Sequence, residues 1–174
     1  VPGNDLASFT ARTVTNNTVA DTTAPTVTAL SVNGSTLTLT LSEALSSVIP
    51  DISRFAVLVA GVSRSVSATA VNTSNNTVIL TLASAVTAGQ SVTLAYTDTT
   101  SSNDTSGIIQ DVPGNDLASF TARTVTNNTA ADTTAPTVTA LSVNGSTLTL
   151  TLSEALSSVV PANSRFAVLV AGVS

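Results

Sequence analysis

The sequence predicts an all-β protein made of tandem seven-stranded β-sandwiches that recur with a period of 111 residues. Three observations predict it. Residues 1–63 recur at 112–174 with only four differences, Val19/Ala130, Ile49/Val160, Asp51/Ala162 and Ile52/Asn163. Apolar residues alternate with Thr, Ser or Ala in short segments, and no segment keeps a helical period over three turns. Turn residues punctuate these segments at intervals of about 8–14 residues, the spacing of a sandwich. A period of this length is a whole domain, because solenoid turns repeat every ~20–50 residues.

Taken in order, Leu30 and Val32 lead into Asn33-Gly34, a strong hairpin signal. Leu37, Leu39 and Leu41 then alternate with Thr38 and Thr40, so one face is expected to be buried. After the loop SEALSSVIPDIS come Phe55, Val57 and Val59, followed by Val66, Ala68 and Ala70. NTSNN opens Val78, Leu80 and Leu82, and AVTAGQ leads to Val92, Leu94 and Tyr96. A long polar loop, DTTSSNDTSGIIQDVPGND, precedes a last strand around LASFTARTVT. Seven strands of this kind fit an immunoglobulin-like sandwich, without the Cys pair and Trp of antibody domains. Tyr96 and Phe120 are expected in the core.

The boundary between units falls near Asp21 and its copy Asp132, in ADTTAPTVT. Residues 1–20 then read as the C-terminal strand of a preceding repeat, 21–131 as a complete repeat and 132–174 as the N-terminal half of the next. Pro25 and Pro136 are expected to stiffen the linkers, since proline fixes its own φ. The chain starts with Val and no leader precedes it, so it reads as a piece of a longer protein.

Composition excludes much chemistry. The 174 residues include no His and no Cys, and all five basic residues are Arg. No imidazole base, thiolate, Schiff-base lysine or soft metal site is therefore available, and no enzymatic activity is expected. Paired carboxylates can hydrolyse glycosides, but these acids sit in polar loops with few aromatics to line a sugar cleft. The net charge of −5 argues against nucleic acid as a partner. No apolar run approaches the roughly 20 residues needed to cross a bilayer, so no membrane insertion is expected.

DTTAPT, LTLTLSEAL, LASAVTAGQSVTLAYT and IIQDVPGNDLASF resemble the tandem repeats of a cyanobacterial cell-surface protein needed for swimming motility. They are similar also to the Ig-like repeats of giant bacterial surface adhesins. The resemblance implies an extracellular or cell-surface location, repetition in long arrays, and calcium between domains; it implies no catalytic residue.

In a seven-strand sandwich, the entry to the first strand and the loops after the second and sixth lie at one end. Those segments hold Asp21, Glu43, Asp51, Asp98, Asp104, Asp111 and Asp116, all the acids of one repeat. The turns expected at the other end, Asn33-Gly34, Ala60-Gly61 and Ala88-Gly89, carry none. Calcium needs several converging hard oxygens, and Asp21, Glu43, Asp104, Asp111, Asp116 and the copy Asp132 are the candidate ligands of an interdomain site. The alternative is that they are solvated turn formers, as Asp commonly is. Asp51 is the weakest candidate, because its copy is Ala162.

The expected function is that of a structural extender: a semi-rigid spacer whose partners are neighbouring copies of the same repeat. These copies lie in the same chain or in adjacent subunits, where near-identical strands could exchange. The rival expectation is a carbohydrate- or surface-binding adhesin module, which loop aromatics would favour and these loops lack.

Overall fold

The structure is a computed structural model that describes residues 3, 6–100, 102–105, 107–159 and 161–169. The outermost residues of the expected first and last segments, 1, 2, 4, 5 and 170–174, lie outside the described residues. The chain divides into two compact units, residues 1–131 and 132–174.

Among its described residues the first unit carries eight strands: β1 (Val27–Asn33), β2 (Thr36–Leu41), β3 (Phe55–Val59), β4 (Val62–Arg64), β5 (Val66–Asn72), β6 (Thr77–Leu82), β7 (Val92–Tyr96) and β8 (Phe120–Asn127). They form one ladder in the order β4-β3-β7-β8-β1-β2-β6-β5. Every pairing is antiparallel except that of β8 with β1, a parallel contact of two residue pairs, Ser31 with Thr126 and Val32 with Asn127. Strands β4 and β5 are the two edges of this ladder, yet only Ser65 separates them in sequence. The ladder must therefore curl until its edges meet, which makes it nearly barrel-like and encloses one core.

Alternation selects that core. Leu37, Leu39 and Leu41 of β2, Phe55, Val57 and Val59 of β3, Val78, Leu80 and Leu82 of β6, and Val92, Leu94 and Tyr96 of β7 are all buried. Tyr96 stands between Phe55 and Phe120, with ring centroids 5.4 and 5.9 Å away. Val59 and Val62 pair across Ala60-Gly61, both with positive φ, so this hairpin uses the mirror-image turn that suits strand twist.

Several expectations need correction. There are eight strands in the ladder, not seven, because Val62–Arg64 forms the short edge strand β4. The first hairpin turns on Gly34-Ser35, since Asn33 already pairs with Thr36; the glycine takes the positive φ (57°) at the first central position. In β5 a bulge between Val66 and Ala68 advances the alternation, so Ala68 and Ala70 are exposed while Thr69 and Val71 are half-buried. The segment between β7 and β8 is not simply a polar loop. Ile108, Ile109 and Leu117 are buried, and the Ile109 N–H donates to Tyr96 Oη at 2.9 Å.

Among the described residues of 1–20 the expected strand does not form: residues 6–26 carry no regular element. Phe9 is 63% exposed, whereas Phe120, in the identical stretch 111 residues later, is 9% exposed. Phe120–Asn127 becomes a strand because β7 and β1 supply ladder partners; the same sequence without them stays open. The second unit shows the same effect. Its hairpin, β9 (Val138–Asn144) and β10 (Thr147–Leu152), repeats the β1–β2 register, but Leu141 is 64% exposed where Leu30 is 9%.

Candidate metal centre

The turns at one end of unit 1 are tied to one another. The Val86 N–H donates to the Gly34 carbonyl, that of Ala60 to Ser91, and Asn127 Nδ2 to the carbonyls of Thr87 and Gln90. None of these residues is acidic.

The acids gather elsewhere. Carboxylate oxygens of Asp21, Glu43 and Asp111 all lie within 4.8 Å of one another. Asp21 precedes β1, and its Oδ1 accepts the Thr23 N–H at 2.9 Å. Glu43 follows β2 in a segment pinned by reciprocal bonds, Ser42 N–H to the Thr26 carbonyl and Thr26 N–H to Ser42 Oγ. Asp111 is fully buried and bridges Leu45. Its Oδ1 accepts the N–H groups of Gly114 (2.7 Å) and Asn115 (2.6 Å), and its Oδ2 accepts Asn115 Nδ2 at 2.8 Å. The same Asn115 amide donates to the Asp21 backbone carbonyl at 3.2 Å, linking the start of the repeat to the turn. The role of the PGN stretch is now visible: Gly114 has φ +100°, which lets the turn fold two amides onto one carboxylate.

A second group adjoins the first. Residues 109–117 form a small hairpin, with bridges at Gln110/Asp116 and bonds from Leu117 N–H to Ile109 and Asp111 N–H to Asn115. Asp116 Oδ2 accepts the Asp104 N–H at 2.9 Å, and Asp104 Oδ2 accepts Thr100 Oγ1 at 2.6 Å. Asp98 accepts the Thr100 N–H at 3.0 Å. Asp21, Asp98 and Asp132 each begin an Asp-Thr-Thr run and each caps the second Thr N–H in the same way. That triplet was the available signal for Asp98, which belongs to this group although it was not among the expected ligands.

In the second unit, Asp132 faces Glu154, the counterpart of Glu43; burial and then the Asp132 charge raise the Glu154 carboxyl. Asp51 has a different task. It caps the 3-10 turn Ile52–Arg54 by accepting the Ser53 N–H at 2.8 Å, a bond missing at its copy Ala162. Pro25, expected to stiffen a linker, is buried in unit 1, whereas its copy Pro136 is exposed.

Like charges and burial perturb these acids. Glu43 is raised above the usual carboxylate range by desolvation, then by Asp111 and Asp21. Asp116 is raised by burial, partly offset by its bond from Asp104, and raised further by Asp98, Asp104 and Asp111. Asp51 is lowered by the Ser53 N–H. A raised carboxyl binds its proton more tightly in the folded state, so its contribution grows as pH falls toward the unfolded value; a lowered one does the reverse. The melting temperature of unit 1 should therefore rise as the pH falls from 7 to about 4 and drop below about pH 3.5, where Asp51 becomes protonated. Circular dichroism melts across that range check this; a steady decline from pH 7 would show that the acids do not strain the fold.

Three carboxylates from three chain segments form a hard-oxygen donor set, and Asp111 keeps lone pairs beyond its three hydrogen bonds. The residues fit a divalent cation. The exposed apolar clefts match positions that are covered in unit 1. The cleft at Leu6 and Phe9 corresponds to Leu117 and Phe120, and that at Leu148, Leu150, Phe166 and Val168 corresponds to Leu37, Leu39, Phe55 and Val57. All of those counterparts are core residues of unit 1.

The geometry defines an all-β repeat with an acid-rich end. A family model described as "Putative flagellar system-associated repeat" matches residues 20–101, from just before Asp21 through β7. The match includes Asp21, Glu43 and Asp98 and ends before Asp104, Asp111 and Asp116. No curated protein matches the sequence significantly. Among solved structures, the S-layer protein rSbsC(31-844) is similar at 15% identity and a TM-score of 0.48, over 67% of this chain and 15% of that one. The N-terminal part of the bacterial S-layer protein SbsC is similar at 16% identity and a TM-score of 0.45, over 67% and 25%. The chain thus spans a quarter or less of these proteins. Among the described residues, no helix is long and apolar enough to cross a membrane.

Proposed function

We propose that the 111-residue unit is a structural extender repeat of a long extracellular or cell-surface protein, serving as a semi-rigid spacer in a row of like copies. The observation that carries this reading is the near-identity of the copies around one closed core: residues 27–127 complete a ladder, and the next copy begins within a few residues of its end. The match to a flagellar system-associated repeat family supports tandem use on a surface apparatus. Splitting the ladder at its two-residue parallel contact gives sheets β1-β2-β6-β5 and β4-β3-β7-β8. That is the strand order of an Ig-like sandwich with one added edge strand.

Calcium on Asp21, Glu43 and Asp111 would join the entry segment of a repeat to two of its loops and so limit bending there. With no His, Cys or Lys, the array would be chemically inert along its length. X-ray scattering from chains of one, two and four repeats tests the spacer. The maximum dimension should grow by a constant increment per repeat, and chelation should shorten it or blur its upper limit. A compact four-repeat particle, or selective glycan-array binding by a single repeat, would overturn the reading.

A further inference from the structure

We propose that unit 1 holds a second cation site, distinct from the Asp21–Glu43–Asp111 group, in the cleft between residues 98–104 and the 109–117 hairpin. The cleft has a volume of about 230 Å³, and its walls include Asp98, Thr100, Ser102, Asn103, Asp116 and Ser119. Every one of those side chains ends in oxygen or an amide, and none is basic.

A buried acceptor in the cleft wall marks the site, and a second lies beside it on the hairpin. Asp116 is 8% exposed and its Oδ1 has no hydrogen-bond partner. Gln110 is 7% exposed and its Oε1 has none either. Gln110 and Asp116 are directly opposed in an antiparallel bridge, so their side chains lie on the same face of the hairpin. Buried acceptors are normally paired, because an unpaired one forfeits its hydration without return. An unpaired carboxylate oxygen on Asp116, in a cleft whose walls also carry Asp98, asks for positive charge rather than another acceptor.

The alternation of the hairpin separates this site from the first one. Ile109 and Leu117 point into the core, Asp111 shares their parity and meets Glu43, and Gln110 and Asp116 occupy the opposite face. The chemistry selects a hard divalent ion such as Ca²⁺: carboxylate, amide and hydroxyl oxygens are present, and no nitrogen or sulfur ligand is. A cation here would tie residues 98–104 to the hairpin that also carries Asp111.

Tyr96 makes the test direct. It is the sole tyrosine in a chain without tryptophan, it lies two residues before Asp98, and both Asp98 and Asp116 act on it electrostatically. Tb³⁺ bound in the cleft should therefore be sensitised by ultraviolet excitation of Tyr96 in the 174-residue chain, and Ca²⁺ should quench the emission by competition. Asp116→Asn and Asp98→Asn should each weaken Ca²⁺ binding by about tenfold or more, because ligand charge sets affinity in oxygen sites. Glu43→Gln, which alters only the first group, should change it less than about twofold.

Circular dichroism establishes that each variant is folded, and should Asp116→Asn fail to fold, the half-buried Asp98 decides. No sensitised emission, emission insensitive to both Asp variants, or equal loss in Glu43→Gln would each overturn the site. The last outcome would mean a single shared ion, at the first group.

Discussion

Replacing Asp111 by Ala should lower the stability of unit 1 by about 3–5 kcal/mol, one of the largest effects expected from any loop substitution in this chain. The side chain is fully buried and holds two backbone amides and one side-chain amide. Its removal strands the buried Asn115 N–H and the half-buried Gly114 N–H, and a buried donor left without an acceptor costs about 1–3 kcal/mol. Relief of repulsion with Glu43 and Asp21 offsets part of this, since their charges oppose one another at close range. Asp111→Asn separates the two contributions. It keeps a carbonyl acceptor for the turn while removing the charge, so its loss should be within about 1.5 kcal/mol. Urea unfolding followed through Tyr96 emission reports on unit 1 alone, because that unit contains the sole tyrosine. A loss below 1 kcal/mol in the Ala variant would mean that Gly114 and Asn115 are held by something other than Asp111.

The same region shows what a sequence can and cannot disclose. Period-2 alternation in 37–41, 55–59, 78–82 and 92–96 identifies the buried face of each strand, because a half-covered sheet forces inward positions to be apolar. Val62–Arg64 is too short to display any period. The bulge at Val66–Ala68 breaks parity within an otherwise regular run, so reading through it assigns Ala68 and Ala70 to the wrong face. Asn33-Gly34 locates a turn but not its centre, since Gly can supply the positive φ at either central position. Ile108 and Ile109 sit in a stretch dominated by Ser, Thr, Asn and Asp, where two adjacent apolar residues carry no periodicity.

The candidate site divides along the same physical line. Asp21, Glu43 and Asp111 lie in segments outside the strands, before β1, after β2 and between β7 and β8, and their carboxylates come together. The union of Asp98 with Asp104 and Asp116 depends on residues 98–104 folding over one face of a hairpin, which no spacing encodes. Copies of one sequence also differ in fate here. Leu6, Phe9 and Val14 are exposed, whereas Leu117, Phe120 and Val125 are buried. Local sequence sets which face is apolar, and only the presence of neighbouring strands decides whether that face is covered.

Tyr96 couples that core to the acid-rich end, and its substitutions should separate the two links. Tyr96→Ala should cost about 3–5 kcal/mol, the range for losing a large buried ring that cannot be refilled. The ring is 1% exposed and packs between Phe55 and Phe120, so a cavity would open where β3, β7 and β8 meet. Tyr96→Phe preserves the ring and removes only the hydroxyl. That hydroxyl accepts the Ile109 N–H at 2.9 Å, a buried donor for which no other acceptor is evident, so the variant should lose about 1–3 kcal/mol. Burial pushes the Tyr96 hydroxyl up to about 12, so it stays protonated and the bond persists throughout the neutral range. The two variants should also differ in where they loosen the fold. Ile109 begins the hairpin that ends at Leu117 and carries Asp111 and Asp116, so Tyr96→Phe should speed amide exchange across 107–117 while the β2–β6 amides stay protected. Tyr96→Ala should raise exchange in both regions. Uniform exchange in Tyr96→Phe would show that the hairpin is held by Leu45 and the buried isoleucines alone. Exchange confined to 107–117 would show that one phenolic oxygen anchors the loop from which both acidic groups are built.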